Sequence, residues 1–548
     1  MTRQVLKRKG SAVAVAAVAL TSLAVVPAEA SGSGSPPGVA WRTCPAYSDD
    51  VLRSLGVSDE KLPAVRSQLT RMECGTVSVP LDHRKPHGRR IDVAITRLKA
   101  TDQAHRLGSL ALNPGGPGGS GYLMGVQVSS MMNDEAKKLG ERYDLIGFDP
   151  RGVGYSTKVN CAPPGGGEEE PSTGPTTKEA AKAAFKLEAA FNKACGSSDP
   201  DFLKQITTEN VARDLDLVRG ALHERKLNFL GVSWGTWLGA VYRSAFPETA
   251  GRVFLDSVAP PHFRVDDFED GRAMAAERSS ARQAAWLAQH NDIYGLGITP
   301  EQVRATVLAM VRDFDANPRH YTDIPMPVDG SIIAQTALQP SVVWSTVGAI
   351  LKELRESTGP TAPPIFKDIV VGEPRPPRPP DAPELQNPTM NHAAFCNEDP
   401  SRLDFEHAWA DFQKRLADNP VTGRALRFSA GCAGWPLPVQ EYRLRRGTGS
   451  LVLAGHRHEI VSVFGWTAEM RAAVGGKTYT VEDDIHGSVL RVPECSADLV
   501  EYFTTGRIDS GCPGVPGPAG TTTSATMSLD VTDTGLTGSG PTGLGLTG

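Results

Sequence analysis

The sequence predicts a doubly wound α/β fold: a mostly parallel sheet with helices on both faces, interrupted by a mainly helical insertion. Three observations predict it. Short, fully apolar runs end at Gly- or Pro-rich breaks, as strands in the interior of a parallel sheet do. Up to about residue 260 those runs alternate with amphipathic helical text. Strand-like text then lapses between residues 262 and 430 and resumes near residue 451.

Each element can be read in order. Residues 76–79 and 91–98 read as strands separated by a Pro/Gly-containing turn. The apolar runs 107–112 and 143–148 each end at a Gly- or Pro-rich loop. Residues 211–222 form an amphipathic helix with Thr208 as its expected N-cap. A strand at 227–230, a helix at 236–246 and a strand at 253–255 follow. Helices at 273–290, 300–314 and 405–416 occupy the insertion, and a Pro-rich stretch at 373–383 reads as an extended connector. Strands return at 451–454 and 478–481. The expected division is a sheet part over 31–261, a helical cap over 262–430 and a second sheet part over 431–512. Residues 163–175 read as a mobile loop. The Gly/Thr/Ser/Pro tail at 513–548 reads as disordered.

The first thirty residues read as an export signal outside the fold. Arg3, Lys7, Arg8 and Lys9 precede an apolar stretch over 11–26, and Ala28-Glu29-Ala30 supplies a signal-peptidase site. The apolar stretch is short for a span of ~20 residues, so cleavage after Ala30 and a soluble extracellular protein are expected. A net charge of -5 gives no reason to expect nucleic acid as a partner. Eight cysteines in an exported chain point to disulfides. They fall as sequence-local pairs: Cys44 and Cys74, Cys161 and Cys195, Cys396 and Cys432, Cys495 and Cys512. Proximity favours these pairings without imposing them. A zinc site is the weaker reading, because no Cys-x-x-Cys spacing occurs.

Gly231-Val232-Ser233-Trp234-Gly235 carries the chemistry. It follows a predicted strand and opens a predicted helix, the context in which a sharp turn exposes a nucleophilic serine. Asn113-Pro114-Gly115-Gly116-Pro117-Gly118-Gly119-Ser120-Gly121 follows another strand. Glycines there let backbone N–H groups approach an oxyanion, so the expected donors are Gly116 and Trp234. The Gly-Lys-Ser/Thr of a phosphate loop is absent. Of twelve histidines, His486 alone lies beyond the last strand, after Glu482-Asp483-Asp484, where a general base belongs. The acid belongs after the strand at 451–454, where Glu459 is the one carboxylate. Asp256 is the alternative, one strand earlier. Such a serine hydrolase needs neither metal nor organic cofactor.

With these motifs in hand, the chain resembles the secreted tripeptidyl aminopeptidases of actinobacteria, relatives of the proline iminopeptidases among the α/β hydrolases. The resemblance runs from Trp41 to Cys512. It rests on Cys74-Gly-Thr-Val-Ser-Val-Pro-Leu-Asp82, the Asn113–Gly121 loop, Phe148-Asp-Pro-Arg-Gly-Val-Gly-Tyr-Ser-Thr157, the Ser233 motif, Cys432-Ala-Gly-Trp-Pro436 and His486…Cys495…Cys512. It implies an α/β-hydrolase fold and release of short peptides, often tripeptides, from free N-termini. Two departures matter. The residue after the nucleophile is Trp234 where the family usually has Tyr. At the family's Gly-x-x-Asp-x-x-Thr-Pro the text is Gly455-His-Arg-His-Glu-Ile-Val-Ser462. With one extra residue Glu459 takes the acid position; without it His458 does. An exopeptidase also needs a carboxylate for the substrate ammonium. Glu398 and Asp399 are candidates, against the alternative that they are solvated surface acids. Asp149 and Arg151 are expected to brace loops. The rival readings are a secreted carboxylesterase with the same triad and a hydrolase scaffold kept for binding.

Overall fold

The computed structural model describes residues 38–161, 177–371 and 379–518. Ten strands form one sheet: β1 (Ala40–Arg42), β2 (Glu73–Pro80), β3 (Arg90–Leu98), β4 (Gly108–Asn113), β5 (Tyr143–Phe148), β6 (Leu227–Val232), β7 (Ala250–Asp256), β8 (Leu451–His456), β9 (Lys477–Val481) and β10 (Gly511–Cys512). Their spatial order is β1-β2-β3-β5-β4-β6-β7-β8-β9-β10. The pairings β1–β2, β2–β3 and β3–β5 are antiparallel, and every pairing from β5 to β10 is parallel.

The apolar text of the central strands follows from burial on both faces. In β6, Leu227 and Phe229 join one hydrophobic cluster, and Leu230 joins the cluster on the opposite face. In β7, Val253 and Leu255 oppose Phe254; in β8, Leu451 and Leu453 oppose Val452 and Ala454. Side chains alternate across a strand, so a strand covered on both faces must be apolar throughout. The expected strands all form, most of them extended by one to three residues at their ends.

β7 and β8 are neighbours, yet the whole helical insertion separates them in sequence. The chain leaves β7 at the end of the sheet where parallel strands point their C-termini, the usual side for a ligand crevice, and re-enters β8 from the opposite end. The helices of the insertion include Val265–Gln289, Pro300–Ala316, Trp344–Glu356, Pro388–Glu398 and Phe405–Asp418. Residues from Ala284 to Ala425 supply a third hydrophobic cluster. The helix Pro388–Glu398 departs from that pattern: Met390, Ala393, Ala394 and Cys396 pack into the cluster beneath β6 and β7.

All four sequence-local cysteine pairs are disulfides. Thr208 is not the N-cap of its helix. The helix runs Thr208–Ala221, and the Thr207 side chain takes the Asn210 amide as its cap. The two adjacent threonines differ in backbone, and Thr207 alone is extended as a cap requires. The stretches read as an export signal (1–30), a mobile loop (163–175), the first part of the Pro-rich connector and most of the disordered tail (519–548) lie outside the described residues. Among the described residues, no helix is long and apolar enough to cross a membrane.

Candidate active site

Ser233 sits between β6 and the helix Trp234–Ala245 with φ 58° and ψ -126°. A non-glycine residue seldom takes positive φ, so Ser233 sits in a strained bend. The flanking glycines are required by close approach. A Cβ on Gly231 would lie 2.3 Å from the Gly235 carbonyl oxygen, and one on Gly235 would lie 2.7 Å from Asn113 Oδ1. The Ser233 amide donates to the Asp256 carbonyl at 3.0 Å, tying the bend to the end of β7. The serine also stands at a helix N-terminus, where the backbone dipole favours negative charge.

The Gly-rich loop after β4 reaches the same bend. A Cβ on Gly115 would lie 2.8 Å from Ser233 Cβ and 3.3 Å from the Trp234 amide nitrogen. The next peptide, Gly116–Pro117, is cis. The amides of Gly116 and Trp234 donate to no other described residue. The loop is held from the insertion. Gln386 Nε2 and Asn391 Nδ2 each donate to the Pro117 carbonyl at 2.8 Å. Ser120 N donates to Leu385 O at 2.9 Å, and Asn387 N donates to Gly118 O at 3.0 Å. Behind the loop, Ser120 Oγ donates to the buried Asp149 at 2.5 Å. Burial raises the Asp149 carboxyl to about 7, against the pull of its Ser120 and backbone donors. Arg151, fully buried, grips Asp214 and the carbonyls of Pro80, Leu81 and Gln205.

The structure brings His486 and Glu459 together: Nδ1 of the ring donates to Glu459 Oε1. Glu459 is buried and also accepts the Ser462 amide at 2.7 Å and the Ser257 hydroxyl at 2.9 Å. Burial pushes this carboxyl up, but His486, His456 and the Ser462 amide outweigh burial and hold it below the usual range. His486 Nε2 is buried without a partner among the described residues. A Cβ on the neighbouring Gly487 would lie 2.7 Å from Val232 Cγ1, so this loop touches the residue before Ser233.

Asp256 does not serve His486; its Oδ1 accepts from His456 Nε2 at 2.7 Å. Nor are Glu398 and Asp399 solvated surface acids, because both are buried. Glu398 accepts the Thr208 amide and, at 3.0 Å, the Trp237 indole. Burial raises it to about 7 despite these donors. Asp399 Oδ1 takes the Ser401 amide and hydroxyl at 3.0 and 2.5 Å.

Sequence reading missed Ser257, whose hydroxyl donates to Glu459 and accepts the Gly487 amide at 2.8 Å. Like Ser233 it has positive φ, at 57°. Its place just after Asp256, at a strand end, was the one available signal.

The α/β-hydrolase fold model matches residues 109–308. The tripeptidyl aminopeptidase of Streptomyces lividans is 29% identical over 80% of this chain and 82% of its own length. Serine protease Hip1 of Mycobacterium tuberculosis is 34% identical over 34% of this chain and 36% of its own. Carboxylesterase B of the same species is 25% identical over 88% of this chain and 92% of its own. The chain is therefore a serine hydrolase of the α/β-hydrolase fold. Within that class it is similar to the tripeptidyl aminopeptidases.

Proposed function

We propose that the chain is a secreted serine exopeptidase that releases short peptides, tripeptides among them, from free N-termini through Ser233, His486 and Glu459. One observation carries the mechanism: Glu459 fixes Nδ1 of His486, while Nε2 stays unpartnered on the loop packed against the Ser233 bend. In this reading Ser233 Oγ attacks the scissile carbonyl and its proton passes to His486 Nε2. The amides of Gly116 and Trp234 hold the oxyanion. His486 then protonates the departing amine, and water activated by the same ring hydrolyses the acyl-enzyme. Glu459 stays ionised, orients the ring and stabilises its cationic form.

The named relatives support peptides as substrates, and four disulfides suit an oxidising compartment outside the cell. A peptidase of this kind must meet the substrate ammonium with a carboxylate. Glu398 and Asp399 are assigned that task here, although internal donors already engage both. Free-amine selectivity that survives E398Q and D399N would move the assignment elsewhere.

A second reading, a carboxylesterase with the same triad, is favoured by the likeness to carboxylesterase B. Turnover of a free-amine tripeptide anilide, its N-acetylated form and a short-chain nitrophenyl ester separates the two. The peptidase prefers the free amine over the acetylated form; turnover of the ester alone selects the esterase. A fluorophosphonate probe should label the wild type and fail on Ser233→Ala. Labelling of neither would leave a binding scaffold.

A further inference from the structure

A second imidazole is buried beside the proposed triad, where β7, β8 and β9 end. His456, the last residue of β8, has no exposed surface. Its Nε2 lies 2.7 Å from Asp256 Oδ1, and its Nδ1 lies 2.6 Å from Asp483 Oδ1. A neutral imidazole carries one N–H and an ionised carboxylate only accepts, so with both carboxylates ionised the two contacts together require both nitrogens protonated. In that state the ring is a buried cation between two anions.

The other bonds of those two residues give the arrangement its consequence. The Asp256 carbonyl accepts the Ser233 amide at 3.0 Å, and Asp256 Oδ2 accepts the Val489 amide at 3.3 Å. Asp483 stands three residues before His486; its Oδ2 accepts the Ser488 hydroxyl at 2.6 Å and the Val515 amide at 2.8 Å. One ring thus joins the backbone that seats Ser233 to the loop that carries His486.

We propose that His456 is a positioning residue of this hydrolase: as a buried imidazolium clamped by Asp256 and Asp483, it sets the Ser233 bend and the His486 loop at their working separation. The inference rests on the triad proposed above. The charged groups facing the clamp are Asp256 from β7, Asp483 from the loop after β9, Glu459 from the loop after β8, and Arg491, which feels both aspartates. Burial disfavours the cation, but Asp256, Asp483 and Glu459 outweigh it and raise His456 well above an ordinary imidazole. The positive ring in turn helps His486 keep Glu459 ionised.

The test is His456→Gln in the full chain, with kcat and KM measured across pH. Removing the cation leaves Asp256 and Asp483 uncompensated, which favours the charged form of His486. The acidic limb of kcat/KM should move up by about half a pH unit or more. At the optimum kcat should fall about tenfold or more while KM stays within about twofold, as for an interaction that matters only in the transition state. A folded variant with an unmoved limb and wild-type kcat overturns the inference, because loss of packing alone would not shift the limb. Neutron diffraction from the wild type at pH 8 gives an answer even if the variant does not fold. Deuterium on both ring nitrogens of His456 supports the clamp, and deuterium on one overturns it. Ser233→Ala and Glu459→Gln are measured alongside. If either keeps full activity, the triad reading fails and this inference falls with it. If both lose activity and His456→Gln leaves the limb in place, only the clamp is wrong.

Discussion

His486 and His456 lie thirty residues apart, and each ring is hydrogen-bonded to a buried carboxylate, yet the two sites are built oppositely. His486 has one carboxylate on Nδ1, a partly exposed ring and an unpartnered Nε2. His456 has a carboxylate on each nitrogen and no exposed surface. A base must have a nitrogen to offer, so the first arrangement can take a proton and the second cannot. The second does what a buried, doubly anchored cation does well: it fixes geometry, at the cost of strong dependence on both partners. Burial and proximity to acid do not by themselves mark a catalytic histidine. A general base needs an unpartnered nitrogen as well, and of these two rings His486 has one.

Four substitutions break or sharpen that contrast, the largest effect first. His486→Gln should lower kcat about 10⁶-fold, the scale seen when a triad base is removed. Its melting temperature should stay near that of the wild type, because the ring reaches the surface. Glu459→Gln should lower kcat about 10⁴-fold with little change in KM, since His486 then lacks the acceptor that sets its tautomer. A smaller loss than a hundredfold would shift the acid's role to another group.

His456→Gln should act first on stability, by about 3–5 kcal/mol at pH 6, as breaking a buried ion pair does. The pH dependence follows from the two shifts. The His456 pKa is raised in the fold, so its contribution is complete below its unfolded value near 6.5 and is lost as pH rises through the raised one. The Asp483 pKa is lowered, so its contribution is complete above its unfolded value near 3.8 and is lost as pH falls through the lowered one. Urea denaturation of wild type and variant should therefore differ most between about pH 4 and 6.5, converging on both sides. A constant gap would mean that packing, not charge, is what the variant removed.

Ser257→Ala is the mildest. It deletes one donor to Glu459 and the acceptor of the Gly487 amide. A single hydrogen bond of about 1–1.5 kcal/mol predicts roughly a tenfold fall in kcat. An unchanged rate would show that the Ser462 amide and His486 suffice to hold the carboxylate.

Much of the fold was legible because its signals are local. Runs such as Leu110 to Leu112 and Val253 to Leu255 must be strands buried on both faces, since nothing in them tolerates water. The glycines at 231 and 235 announce a bend that admits no Cβ. The helix Pro388–Glu398 was less legible. It carries almost no helical periodicity because it is buried nearly all round, between the sheet's core and the Gly-rich loop. Glu398 and Asp399 could therefore pass for surface acids in the sequence.

Local chemistry, written into consecutive residues, determined the strands, the Ser233 bend, the Gly-rich loop and the neighbourhood of Glu459. Tertiary structure alone decided which carboxylate meets which histidine. Glu459 and Asp256 are both acids near strand ends, and strand order places Asp256 against His456 and Glu459 against His486. Those contacts join residues as much as 200 positions apart across β7, β8 and β9. Hydrogen bonds act over a few ångströms, and only the assembled sheet brings such distant residues within that range.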